Sequence, residues 1–203
     1  MKVGLMWQIG AILILIFLFS KGTSVLADFD KQILSWQKFY SSKYGIDWRV
    51  VRCVQYIESH NGHDPRVAYG VANPTDTHNS RSYDNISWGI AQSTVPTTRD
   101  MLRINSNPAW RSFEKTASDE QIKIFLNNPE NSIHIGCQYL RWCRDWLLAN
   151  APIKETDAGF LESWIQSYNQ GIGRERDNIK GIKPDTGGAV AYWEKFKENF
   201  NKV

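Results

Sequence analysis

The chain has 203 residues, 42% apolar and 22% charged, close to the averages of a globular domain, which excludes disordered, collagen-like and coiled-coil readings. The formal charge of +3 includes Lys2 and Lys21, so the rest of the chain is close to neutral and gives no reason to expect a nucleic-acid partner. Nine tryptophans are the unusual number: core packing accounts for most, and a binding groove is the other place for residues that pair a flat face with a donor.

Residues 1–27 read as a leader. Lys2 precedes the apolar run Ile9 to Phe19, and Ser24-Val25-Leu26-Ala27 supplies a small-residue cleavage site. The run is short for a membrane span, although extending it back to Val3 would make an uncleaved anchor. Export to the periplasm or cell envelope is the expectation, with membrane attachment only if the leader is retained. Residues 28–203 are then one domain, long enough to bury roughly 70% of the surface of its unfolded chain.

Helical periodicity dominates that domain. Phe29, Ile33, Trp36 and Tyr40 share one stripe, with Gly45 as a stop. Asp47 caps a second helix running to about His60, with Gly62 beyond it. Residues 62–87 are rich in Gly, Pro, Asn, Asp and Ser without a period, which predicts a long loop of the kind that is usually functional; Tyr69 to Val71 and Ile86 to Trp88 are its strand candidates for a small hairpin. Helices return near Pro96, at Asn107-Pro108, and at Ser118, where Gln121 completes a capping box. Asn128-Pro129 opens the longest, with Ile133, Cys137, Leu140 and Leu147 along one stripe. Asp157 is placed as the cap of the next, whose face carries Phe160, Leu161, Trp164, Ile165 and Tyr168. The last begins near Gly188 and aligns Ala189, Tyr192, Trp193, Phe196 and Phe200. The fold class is all-α or α-rich α+β, a single compact helical domain with a long loop and a small hairpin.

Three cysteines cannot all pair within one chain. Cys137 and Cys143 lie about 9 Å apart along one helix, beyond bridging distance, so a disulfide would join Cys53 to one of them; three buried thiols are the alternative. His60, His63, His78 and His134 are scattered and read as loop or surface residues rather than metal ligands, and no metal or cofactor is expected.

Glu58 is the residue that asks for a chemical reading. It continues the face of Val51 and Val54, so it points inward, where burial and the negative end of the helix dipole both favour the protonated form. A carboxylic acid held in that state suits proton donation to a leaving alkoxide, as in glycosidic cleavage. An exposed helix end, or a pair with an arginine, is the plain alternative.

Glu58-Ser59 is followed in order by Gly89-Ile90-Ala91-Gln92 with Pro96 and Thr97 close behind, by NSIHIGCQYL from Asn131 to Leu140, and by Ser167-Tyr168-Asn169-Gln170-Gly171. Over residues 30 to 175 this order resembles the soluble lytic transglycosylases, peptidoglycan-cleaving enzymes with a fold related to goose-type lysozyme. The resemblance implies that Glu58 is the sole acid and base, that Gln92 lines the sugar groove, and that Tyr168 lies near Glu58 with Asn169 beside it. Ser59 either touches substrate or holds the helix end. Gly89, Gly136, Gly171 and Gly173 are expected as backbone devices. Ala91 stands where the family usually has a bulky Met or Phe, which leaves a contact surface smaller or filled by another residue such as Trp88.

The implied substrate is the peptidoglycan glycan strand, cut between N-acetylmuramic acid and N-acetylglucosamine with closure of a 1,6-anhydro ring. Wall remodelling, a cell-envelope secretion or conjugation machine, and a phage are the settings left open. Two other readings stand beside it. One is a lysozyme-like hydrolase, which needs a second carboxylate about 5–9.5 Å from the first, with Asp64, Asp76 and Asp84 available. The other is a non-catalytic glycan-binding assembly protein on the same fold.

Overall fold

The computed structural model describes residues 27–63, 87–185 and 187–203. By backbone contacts the chain divides into two units, ending at Ser35 and beginning at Trp36. The first contributes only residues 27–35 to the described part, all helical, and the boundary falls inside helix α1 (residues 27–44). Residues 1–26 of the expected leader and the expected strand at Tyr69 to Val71 lie outside the described residues, as do His78, Asp64, Asp76 and Asp84.

Helix takes 76% of the described residues and the sheet is a single pair of two-residue strands, so the chain is α-rich. After α1 come α2 (Trp48–Ser59) and a 3-10 turn (His60–Gly62), then β1 (Ser87–Trp88), β2 (Ser93–Thr94) and α3 (Val95–Ile104). Next are α4 (Pro108–Thr116), α5 (Asp119–Asn127), α6 (Pro129–Asn150), α7 (Phe160–Gln170), α8 (Ile172–Ile179) and α9 (Gly187–Phe200). Among the described residues no helix is long and apolar enough to cross a membrane.

Capping chemistry explains most of the starts. The side chain of Asp47 accepts from the amide of Arg49, Asn107 from Ala109 and Asn128 from Asn131. Ser118 and Gln121 satisfy each other's backbone N–H groups in a complete capping box. Asp157, in contrast, does not cap α7. Its carboxylate turns back to accept from the Lys154 amide at 2.8 Å, and α7 starts later, at Phe160, with Gly159 as its N-cap and no side-chain cap. Helix α8 was not expected from the sequence because its polar run, Gly173 to Asn178, carries no apolar stripe. The strand at Ser87–Trp88 pairs with Ser93–Thr94, with Ser87 opposite Thr94 and Trp88 opposite Ser93.

Helix α6 is the spine, packing on α2, α3, α5, α7 and α8. Ile133, Ile135, Cys137, Leu140, Cys143 and Leu147 are fully buried along it, and the Trp164 indole donates to the Leu140 carbonyl at 2.8 Å. On one side Val95, Met101, Leu102, Ile122 and Leu126 form a cluster covered by Trp88, Trp110 and Trp142. All three cysteines are free and buried; burial pushes the Cys53 thiol up to about 11 and the Cys143 thiol up to about 12. His134 is not a surface residue. It is 4% exposed, stacked on Tyr40 at 4.1 Å and 2.7 Å from the Tyr44 hydroxyl, and burial lowers its pKa to about 3.

Candidate functional site

Glu58 lies in the last turn of α2. Val51 and Val54 on its face are fully buried while Glu58 itself is half-buried, so the apolar stripe does lead to a carboxylate at a boundary. Beyond it the chain reverses sharply: His60 and Asn61 have φ of 50° and 55°, the left-handed region that non-glycine residues seldom occupy. That reversal is braced from inside. The buried Gln37 amide donates to Gln55 at 2.9 Å and to the Asn61 side chain at 2.8 Å.

Ser59 is part of the same fastening. Its hydroxyl lies 2.8 Å from the Ile90 carbonyl and 3.1 Å from that of Gln55, and it accepts from the Gly62 amide at 3.1 Å. At 1% exposure it ties the helix end to the turn between the strands and leaves no oxygen for a ligand. Of its two expected roles, substrate contact is the one the burial removes.

That turn, Gly89 to Gln92, is wedged against α6. Gly89 has φ of 71°, and a Cβ there would sit 2.3 Å from the Leu126 carbonyl oxygen. The Ala91 amide donates to the Ser132 hydroxyl at 3.1 Å. Ala91 is fully buried, and a Cβ on Gly136 would come within 2.6 Å of its methyl group. A larger residue at 91 would therefore meet α6. Trp88 does not take its place in a groove; it packs on the Val95 cluster with the Lys123 ammonium 5.2 Å from its ring. Gln92 has φ of 48°, and its side-chain amide donates to the Gly89 carbonyl at 2.7 Å. Among the described residues the non-glycine positive φ values are those of His60, Asn61 and Gln92. All three flank Glu58 or the turn bound to its helix end. Backbone strain concentrated this way is a mark of a functional site.

Two tyrosines complete the arrangement. The Tyr192 hydroxyl, from α9, donates to Glu58 Oε1 at 2.7 Å. The Tyr168 hydroxyl donates to the Ala91 carbonyl at 2.6 Å, fixing α7 to the turn, and its ring lies 5.2 Å from that of Tyr139. Burial first, and then the charge of Glu58, hold both Tyr168 and Tyr192 well above the usual phenol range. Each is a neutral donor at any ordinary pH.

These groups surround a cavity of about 540 Å³, within the range of small-ligand sites. Glu58, Gln92, Tyr168 and Asn169 all line it, so four of the five expected site residues come together there and Ser59 does not. Sequence reasoning missed the rest of the wall: Ser87, Ser93, Thr94 and Thr97 on one element group, and Tyr139, Gln170 and Gly171 on another. The run of hydroxyls after Gln92 was the readable signal for the first; the second lies within the segments Asn131 to Leu140 and Ser167 to Gly171, which marked the stretches of chain but not these side chains. No tryptophan lines the cavity among the described residues. Glu58 is the only charged group among the described lining residues, which makes the wall one of hydroxyls, amides and phenols around one carboxyl. No protein-family model matches the chain, and no curated protein matches it.

Proposed function

We propose that this protein cleaves the glycan strand of peptidoglycan between N-acetylmuramic acid and N-acetylglucosamine as a lytic transglycosylase, after export to the cell envelope. The observation that carries the reading is the carboxyl of Glu58, the one carboxyl among the described lining residues, half-buried, hydrogen-bonded by Tyr192 and set among hydroxyls and amides. Such a wall suits a neutral, polyhydroxylated, acetamido-bearing chain, and none of the described lining residues is a cation that would hold a phosphate. The ordered motifs that resemble the family supply the reaction type.

Protonated Glu58 donates to the bridging oxygen as the bond to C1 of muramic acid breaks, freeing the 4-hydroxyl of the leaving sugar. The carboxylate so formed accepts the proton of the muramic acid C6 hydroxyl, whose oxygen closes on C1. Glu58 ends as it began, and no water is consumed. Tyr192 holds the carboxyl in place throughout, and the buried backbone fastenings fix the helix end that carries it.

Glu58→Gln retains the size and hydrogen bonding of the side chain but cannot donate a proton. The purified variant should keep its circular dichroism and melting temperature and lose strand cleavage by roughly 10²- to 10⁴-fold. Cleavage at the wild-type rate by the folded variant would overturn the assignment.

A further inference from the structure

One buried amide reaches both sides of the helix end that carries Glu58. Gln37, in the part of α1 that belongs to the second unit, is fully buried. Its Nε2 donates to Gln55 Oε1 at 2.9 Å and to Asn61 Oδ1 at 2.8 Å, and its Oε1 accepts from Arg52 Nη1 at 3.2 Å. Gln55 stands three residues before Glu58 and Asn61 three residues after it. A guanidinium can only donate, so Arg52 decides which end of the Gln37 amide is the oxygen and leaves both N–H groups to the two acceptors.

The bond to Asn61 falls on strained backbone. Asn61 has φ of 55° and ψ of 35° and follows His60 at φ of 50°, and such residues persist only where their surroundings hold them. Gln55 belongs to the same closure, since its carbonyl accepts from the His60 amide and from the Ser59 hydroxyl. Packing alone would be served by an apolar side chain of the same volume, whereas a buried amide is costly unless its polar atoms have partners. The oxygen of Gln37 and both its N–H groups have them. The Gln55 amide nitrogen has none among the described residues, so the orientation of that side chain depends on Gln37. Neither Gln37, Gln55 nor Asn61 is among the described residues that line the cavity; what the amide fixes is the chain around Glu58.

We propose that Gln37 is a positioning residue for Glu58, holding Gln55 and Asn61 at once so that the end of α2 presents the carboxyl to the glycosidic oxygen in the reactive geometry. The inference rests on the glycan-cleavage reading of Glu58 and extends it to a residue on α1 that touches no substrate. Arg52 orients the Gln37 amide.

The test measures steady-state cleavage of soluble, uncrosslinked N-acetylated glycan strands by the full chain. Wild type is compared with Gln37→Met, Asn61→Gly and the double variant, at a temperature where circular dichroism shows each to be fully folded. Methionine keeps the length of the side chain without its donors, and glycine keeps the left-handed backbone without the acceptor. A misplaced acid loses rate rather than substrate affinity, so each single variant should lower kcat about tenfold and leave KM within about twofold. Because the two changes break one shared bond, the double variant should lose less than the product of the single losses. Should Gln37→Met fail to fold, Asn61→Gly carries the test, with the same tenfold fall in kcat at unchanged KM. A wild-type kcat in either folded single variant, a loss confined to KM, or single losses that multiply in the double variant would overturn this inference alone. A wild-type protein that neither binds nor cleaves the strands would overturn it together with the reading it rests on.

Discussion

Glu58 and Tyr192 are 134 positions apart and meet at 2.7 Å. A carboxyl in the last turn of a helix sits at the negative end of the dipole, and the phenol hydroxyl offsets this by donating to it. Burial above all keeps the phenol protonated, so it stays a donor to Glu58 at working pH, and the bond strengthens as the carboxyl gives up its proton. A hydrogen bond to a charged group contributes about 1.5–3 kcal/mol, so Tyr192→Phe should lower kcat roughly 10- to 100-fold in steady-state assays on glycan strands. Its melting temperature should fall by several degrees, about 2–4 °C per kcal/mol lost, and an unchanged kcat in the folded variant would remove Tyr192 from the machinery. The two members of this pair were not equally legible. Glu58 could be found because a charge interrupts the stripe of Val51 and Val54. Tyr192 fits its own stripe with Ala189 and Phe196, and periodicity says which side of a helix is buried but not what lies at the tip of a hydroxyl. Ser59 was open between two roles for a related reason: a dipeptide does not reveal the Ile90 carbonyl that its hydroxyl meets.

The elements that build the site are joined through very small residues. The turn from Gly89 to Gln92 reaches α6 only because Gly136 has no side chain where Ala91 packs, and that contact sets the carbonyl to which Tyr168 donates. In an open helix position Gly→Ala gains about 0.5–1 kcal/mol. At Gly136 the added methyl would lie 2.6 Å from the Ala91 methyl, which is attached to backbone and cannot rotate away. Gly136→Ala should therefore lower the melting temperature and reduce strand cleavage, by an overpacking cost of about 1–3 kcal/mol. Gly173→Ala is the control: it lies in α8 with nothing within 4 Å of the new methyl, so it should be neutral or slightly stabilising. Gly173 is thus not the backbone device the sequence suggested. Helix existence was legible wherever a cap and an apolar stripe coincided, as in α2, α5 and α6, and at α9 from the stripe alone. It failed at α8, which has neither, and α7 starts two residues later than expected, because Asp157 prefers the Lys154 amide. The hairpin was half legible, since two-residue strands carry too little pattern for the partner at Ser93–Thr94 to be recognised.

At the scale of the whole molecule the fold class followed from the near absence of strand signals, and the α-rich structure agrees. The choice between the free thiols of the structure and a Cys53 bridge was not legible, because spacing within α6 could exclude one pair but could not bring α2 to α6. The nine tryptophans were most misleading as a pointer to a groove: the described ones that surround the Val95 cluster are packing residues, and the cavity uses tyrosines instead. The chemical account then turns on the number of carboxyl groups at the reacting bond. A one-carboxyl reaction closes the sugar on itself, whereas hydrolysis requires a second carboxyl to activate water or attack C1, and Asp64, Asp76 and Asp84 in the loop sequence are the ones available. Mass analysis of the fragments released from purified peptidoglycan sacculi by the wild-type protein separates the two directly. The expected products carry 1,6-anhydromuramic acid ends, lighter by one water than hydrolytic products, without label when the digestion is run in heavy-oxygen water. Reducing muramic acid ends carrying that label would contradict it.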